Sequence, residues 1–318
     1  MNSVLFISGP TASGKTDFSL ELAKLIPSEV INADMGQFYK PLSIGTAKPD
    51  WKNTAVPHHL FDIIDEPNDL TVVKYNQLVK LKIKEIWNKN KLPMIVGGSL
   101  FYIKSLYYPP KKLPTKNHSP IKGDPFENEI TMWDMLYKID PERAKKIHPN
   151  DIYRIQRALN IWQKTGRKPS EYKPDFNPYF NSSFVFIEPP LKILKKRIHD
   201  RTINMIKQEN WISEAEGLMG TLWEDFIQKK GFIGYSEIFD WIKKGKKLKD
   251  FDLLIKNIVS QTFNYAKRQI TFWNHFKKLL INQAENSKFF CKVIEIQDVD
   301  FEHVKLIDKY VNKIFLQK

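Results

Sequence analysis

Gly9-Pro10-Thr11-Ala12-Ser13-Gly14-Lys15-Thr16 fits the phosphate-loop pattern G-x-x-x-x-G-K-[ST], and its flanks decide what the fit means. Residues 4–7, Val-Leu-Phe-Ile, read as a short buried strand. Phe18, Leu20, Leu22 and Leu25 mark a helix over residues 17–25. The loop therefore joins a strand to a helix N-terminus, where backbone N–H groups converge and the helix dipole adds partial positive charge. Gly9 and Gly14 let the chain approach an anion closely. The expected ligand is a di- or triphosphate: Lys15 neutralises it, and the Thr16 hydroxyl is placed to ligate a phosphate-bound magnesium ion.

The chain has 318 residues, of which 42% are hydrophobic, enough for one large domain with an insertion or for two domains. No apolar run approaches the roughly eighteen residues of a membrane span. The first strand leads straight into the loop, which leaves no room for a signal peptide. A cytoplasmic protein with no membrane partner is the expectation. The single cysteine, Cys291, excludes internal disulfides and multi-cysteine zinc sites, and sits among Phe289, Phe290 and Val293 as an inert strand residue. The net charge of +14 suits a polyanionic partner, although a lysine-rich surface accounts for it equally well. The few arginines say more, because a guanidinium binds phosphate bidentately and stacks on bases.

Short apolar runs recur at residues 4–7, 30–32, 60–64, 94–96 and 184–187, separated by helical stretches. That alternation predicts an α/β fold, a parallel sheet with helices on both faces. The clearest helix starts at a Thr71 cap and carries Val72, Tyr75, Leu78, Val79, Ile83 and Ile86 on one face. The rhythm breaks at a Pro- and Lys-rich stretch, residues 108–125. Helical patterns follow at 127–137 and 152–164, and the run at 184–187 returns to the sheet. The division is a discontinuous core, 1–109 and 181–318, with a helical insertion at 110–180. A strand over 291–296 and an amphipathic helix near 304–315 close the chain.

Ligands of parallel sheets sit beyond the strands' carboxyl ends, which singles out the loop, Asp34 after the second run, and Gly97-Gly98-Ser99 after Val96. Asp34 suits either a metal-organising carboxylate or a general base, with Asp62 and Asp65 as rivals for the metal role. Arg154 and Arg157 share one face of a helix, as do Arg197 and Arg201. The first pair suits a phosphodiester backbone, and the second could reach the phosphate cleft. Residues 261–273 interleave bases and aromatics, which suits unpaired nucleotides. There Phe263, Ala266, Ile270 and Trp273 fall at core spacing, while Lys267, Arg268 and Gln269 are expected to face outward. His58 and His59 have no third metal ligand at sensible spacing and are expected to be structural or substrate-lining.

With these residues quoted, the chain resembles the bacterial tRNA dimethylallyltransferases, also called tRNA isopentenyltransferases. The resemblance rests on the loop, Asn32-Ala33-Asp34 with Gln37 and Tyr39, and residues 44–49, 56–60 and 96–99. It extends to His148-Pro149-Asn150-Asp151 with Arg154 and Arg157, Gly234-Tyr235 with Glu237, and Ala266-Lys267-Arg268-Gln269. It implies a P-loop NTPase-like fold and transfer of a dimethylallyl group from its diphosphate to N6 of the adenosine 3′ of the anticodon, position 37. It also implies a monomer whose partners are dimethylallyl diphosphate and the tRNA anticodon stem-loop. Asp34 would be the base. The cradle of Gly9, Pro10, Thr11, Ala12, Ser13, Gly14, Lys15 and Thr16, with Arg201 and Mg2+, would hold the diphosphate. Contacts to tRNA would come from Asp34, Met35, Gly36, Gln37, Ser99, Arg154, Arg157, Gly234, Tyr235, Lys267, Arg268 and Gln269. The chain departs from the family pattern at Met35-Gly36, Tyr153, Ser236 and Phe263, where a hydroxyl, Gln, a basic residue and Arg are usual. The rival class is a P-loop kinase or nucleic-acid-dependent NTPase, which would turn over ATP.

Overall fold

The computed structural model describes residues 3–111, 131–172, 174–285 and 287–297. Two compact units emerge, one of Met1–Tyr107 with Pro178–Lys318 and one of Tyr108–Asn177. Against the expected 110 and 180, the second boundary falls earlier because Phe180 is fully buried in the larger unit, its ring centroid 5.5 Å from that of Phe6.

The larger unit is built on six parallel strands: β1 (Ser3–Ser8), β2 (Ser28–Asn32), β3 (His58–His59), β4 (Leu92–Val96), β5 (Asn181–Ile187) and β6 (Cys291–Ile296). Their order is β3-β2-β4-β1-β5-β6. Its helices are α1 (Lys15–Leu25), α2 (Val72–Asn88) and α3 (Leu100–Tyr107). The smaller unit supplies α4 (Met132–Ile139), α5 (Pro141–Ala144) and α6 (Ile152–Thr165). Back in the larger unit come α7 (Leu191–Lys207), α8 (Trp211–Glu216), α9 (Leu222–Lys230), α10 (Tyr235–Lys243) and α11 (Phe251–Ala284).

Strand alternation divides the core. Leu5 and Ile7 of β1 face Phe18 and Leu22 of α1. Phe6 faces the other way, stacked on Phe184 and tilted against Tyr107 of α3, while Trp273 of α11 stacks on Phe184 and Phe186. Helices thus cover both faces. The Thr71 cap forms as predicted, its side chain accepting the Lys74 N–H. In the smaller unit Thr131 and Asp134 make a capping box that starts α4, and Leu136, Ile147, Ile155 and Leu159 fill a separate core. Residues 127–130 and 304–315 lie outside the described residues.

The predicted strand at 60–64 is corrected: only His58 and His59 pair with β2. Leu60 and Asp62 take φ of 63° and 52°, a left-handed conformation that ends a strand at once. The turn lets Asn32 Nδ2 donate to Leu60 O at 3.1 Å, which ties this loop to the end of β2.

At the opposite end of β2 a buried acid, Glu29, draws three bases together: His59 Nε2 at 2.8 Å, Lys91 Nζ at 2.9 Å and Lys89 Nζ at 3.1 Å. Burial on its own raises the carboxyl pKa, but hydrogen bonds from Lys91, His59 and Lys89 outweigh it and hold the group at about 2. A depressed carboxylate stabilises the fold above its unfolded pKa and stops doing so as pH falls through the folded one. Glu29→Gln is expected to cost about 2 kcal/mol near neutral pH, on the order of 5 °C in Tm, because the lysines are half-exposed and water screens them. Thermal melts across pH should show the gap between wild type and variant closing as pH falls from 4.5 toward about 2.

Candidate active site

The loop after β1 turns into α1 through Gly14, whose φ of 91° is open to glycine at little strain. Inside the turn the Ser13 hydroxyl is fully buried and, among the described residues, without a hydrogen-bond partner. An orphaned hydroxyl costs free energy unless a ligand satisfies it, and at the N-terminus of a helix the fitting ligand is a phosphate oxygen. Lys15 Nζ rests on Pro10 O at 2.9 Å. The Thr16 hydroxyl makes no hydrogen bond among the described residues and lines the same solvent-open cleft as Lys15, Asp34, Gln37 and His58.

Asp34 follows β2 and is aimed by a short network. Its N–H donates to Asn32 Oδ1 at 2.8 Å, and its Oδ2 faces the Gly98 N–H at 3.4 Å. The next residue, Met35, donates its N–H to Ser99 Oγ at 2.8 Å, which leaves the serine's own proton free to donate. Asp62 and Asp65, the rivals, are committed elsewhere. Asp62 pairs with Lys48 and accepts Trp51 Nε1 at 3.2 Å; Asp65 pairs with Lys40 on the surface. His58 and His59 are structural, His58 against Val56 O and His59 against Glu29, with His58 also lining the cleft.

From α7, Arg201 reaches the loop and donates to Thr11 Oγ1 at 2.6 Å, whereas Arg197, one turn away, lies near Asp17. Burial lowers the Lys15 pKa to about 8, against the pull of Asp34 and aided by Arg201. Burial raises that of Asp34, with Lys15, the Gly98 N–H and Arg201 opposing. One acid and two bases thus share a desolvated cleft, and each charge moves the others' proton affinities.

Two expectations are corrected. Gln269 does not face outward. It is 5% exposed, its Oε1 accepting the Thr11 N–H at 2.9 Å and its Nε2 donating to Gly98 O at 2.8 Å. The tRNA contacts that the resemblance implies for Gly234 and Tyr235 fall on interior positions instead. Tyr235 is fully buried, and the Trp211 ring lies where a Gly234 side chain would begin. Lys267 and Arg268 are exposed as expected, and Arg154 and Arg157 are exposed on α6 of the smaller unit, Arg154 paired with Asp151 at 3.3 Å. Gly36 packs against the Thr46 methyl group, and Gln37 donates to Thr46 O and Ala47 O at 3.3 and 3.2 Å.

Sequence reasoning missed Glu214. Its carboxylate gathers the backbone N–H groups of Ser43, Ile44 and Gly45 at 3.1, 2.8 and 3.1 Å and the Tyr235 hydroxyl at 2.5 Å. It clamps the very loop on which Gln37 and Gly36 rest. The signal was an acid three residues after Trp211 and beside Ala215, on the flank of a core stripe.

Comparisons agree on one family. Residues 37–276 match the sequence model of the family described as IPP transferase. The tRNA dimethylallyltransferase of Bacillus pumilus is 35% identical over 286 residues, 86% of this chain and 86% of its own. That of Finegoldia magna is 32% identical over 317 residues, 96% of this chain and 98% of its own. Among solved structures, a eukaryotic dimethylallyltransferase acting on tRNA is similar with a TM-score of 0.77 at 26% identity, covering 100% of this chain and 81% of its own. The tRNA isopentenylpyrophosphate transferase of Bacillus halodurans follows with a TM-score of 0.63 at 29% identity, covering 98% and 95%.

A lysine that titrates at about 8 attracts an anion below that pH and loses its charge above it. Binding of inorganic diphosphate with magnesium, measured by calorimetry, should weaken roughly tenfold per pH unit on the alkaline side in excess of the ligand's own titration. Lys15→Ala should bind more weakly throughout and lack that alkaline limb; a limb that persists in the variant would assign it to another group.

Proposed function

The chain belongs to the IPP transferase family, the tRNA dimethylallyltransferases, and from that premise we propose how its residues divide the work. It is a prenyltransferase that moves a dimethylallyl group from its diphosphate to an adenosine of tRNA. The acceptor we assign is N6 of the adenosine 3′-adjacent to the anticodon, position 37, presented by the anticodon stem-loop to a monomeric enzyme in the cytoplasm. No helix among the described residues is long and apolar enough to cross a membrane.

The observation that carries the reading is that Lys15 and Asp34 line one cleft at the loop, while Arg201 binds the same loop through Thr11 Oγ1. The N6 lone pair attacks C1 of the dimethylallyl group, and the C1–O bond breaks with its electron pair going to the diphosphate. The proton from N6 passes to Asp34. Adenine's amine is a poor nucleophile, so charge on the departing oxygen has to be stabilised as it forms. The residues 9–16 cradle, Lys15 and Arg201 do this, and Ser13 supplies the buried hydroxyl that a phosphate oxygen satisfies. Magnesium fits the donor set: a free Thr16 hydroxyl together with phosphate oxygens and water is hard-cation chemistry, and the ion would neutralise diphosphate charge. Met35, Gly36, Gln37 and Ser99 shape the wall next to Asp34. Lys267 and Arg268, and separately Arg154 and Arg157, offer cations to the RNA backbone. Gln269, Gly234 and Tyr235 support this reading only from within, as struts of the site.

Pure protein incubated with magnesium, dimethylallyl diphosphate and unmodified tRNA, followed by nucleoside mass analysis, should yield prenylated adenosine. Asp34→Ala should lower turnover by about a hundredfold or more with tRNA still bound, the scale of a lost general base. Normal turnover would remove Asp34 from the proton transfer, and tRNA-stimulated ATP hydrolysis without prenylation would favour the NTPase.

Arg154→Ala combined with Arg157→Ala should weaken tRNA binding and flatten the dependence of log K on log salt by about one to two units. Filter binding across a salt series reads this directly, and an unchanged slope would place the RNA contacts elsewhere.

A further inference from the structure

Tyr265 lies on α11 one turn before Gln269, and residues four apart on a helix share a face. Gln269 fixes where that face looks, because its amide joins the Thr11 N–H to the Gly98 carbonyl. Gly98 in turn lies against the acid: a Cβ added there would stand 2.5 Å from Gln269 Nε2 and 3.4 Å from Asp34 Oδ2. The Gln269 face therefore runs past the Asp34 carboxylate. The Tyr265 ring is half-buried and braced by the Arg268 guanidinium, 5.9 Å from its centroid. Among the described residues no hydrogen bond is made by its hydroxyl. Buried phenols usually find a partner, so a free one on the helix face that runs past the reacting acid is available to a ligand. Burial first, then the negative charge of Asp34, push the phenol's pKa above its ordinary value, with Arg268 opposing. It remains a proton donor at neutral pH.

We propose that Tyr265 reads the acceptor base, its O–H donating to adenine N1 while Asp34 accepts a proton from N6. This rests on the reading that an adenosine of tRNA is the acceptor. Together the two groups present a donor and an acceptor to the Watson–Crick edge of an extruded base, complementary to adenine. Guanine reverses both positions, setting O6 against the carboxylate and N1–H against the phenol. A site with buried polar groups rejects such a mismatch strongly, because each group is left facing its like. Tyr265 binds and orients the base, and takes no proton in the reaction.

The test compares wild type and Tyr265→Phe on tRNA carrying adenosine or 1-deazaadenosine at the acceptor position, with kcat/KM read by nucleoside mass analysis. The variant lacks only an unpartnered hydroxyl, so its melting temperature should match wild type. On adenosine it should lose about tenfold in kcat/KM, the scale of one hydrogen bond in a desolvated site, with the KM for dimethylallyl diphosphate unchanged. Wild type should lose a similar factor on 1-deazaadenosine, and the two losses should not multiply, since each removes the same bond. Full activity of the variant on adenosine, or losses that multiply, would overturn the assignment while leaving the prenyl transfer standing. No prenylation of adenosine by wild type would instead overturn the reading beneath it.

Discussion

One amide side chain holds the site together. Gln269 accepts the Thr11 N–H with one end and donates to the Gly98 carbonyl with the other, while the Gly98 N–H faces the Asp34 carboxylate. Three segments far apart in sequence, the loop after β1, the loop after β4 and the middle of α11, are thereby locked to one another. Each partner is a backbone group, so the link fixes main-chain positions. Leaving any of these buried groups unpaired would cost on the order of 1–3 kcal/mol, which makes the arrangement all-or-none. The leaving-group cradle and the base stand at a set separation because of it, and a transfer reaction with an in-line attack needs such a separation.

Around that tie the electrostatics are set by exclusion of water. Lys15 is brought down to about 8 and Asp34 is raised, both chiefly by burial, and each partly restores the other. A cleft in this condition is poised for a ligand of charge opposite to its bases: a diphosphate relieves Lys15 and Arg201 together. Asp34, more basic than a surface carboxylate, is better matched to accept a proton near neutral pH. Glu214 works one layer further out, clamping the loop of residues 43–45 on which the Asp34 segment rests.

Much of this was legible from residues close in sequence. The phosphate loop, four of the five short apolar runs, the Thr71 cap and the paired bases on α6 are local patterns, and each is found where the patterns put it. What escaped depends on distant partners. Gln269 reads as a surface residue because nothing nearby in sequence reveals that Thr11 and Gly98 will satisfy its amide. Tyr235 and Glu214 likewise find each other across a turn of three helices. The strand expected at residues 60–64 failed for a different reason: an apolar run gives no sign that Leu60 and Asp62 will adopt positive φ.

The central claim is that the cradle holds an isoprenoid diphosphate with its reactive carbon turned toward Asp34. A crystal structure with magnesium and the unreactive thiolo analogue of dimethylallyl diphosphate tests it most directly. The account predicts the diphosphate in the residues 9–16 loop at the N-terminus of α1, in contact with Lys15, Ser13 and Arg201, and C1 in the open space facing the Asp34 carboxylate. A diphosphate bound away from the loop, or a prenyl chain pointing away from Asp34, would contradict it.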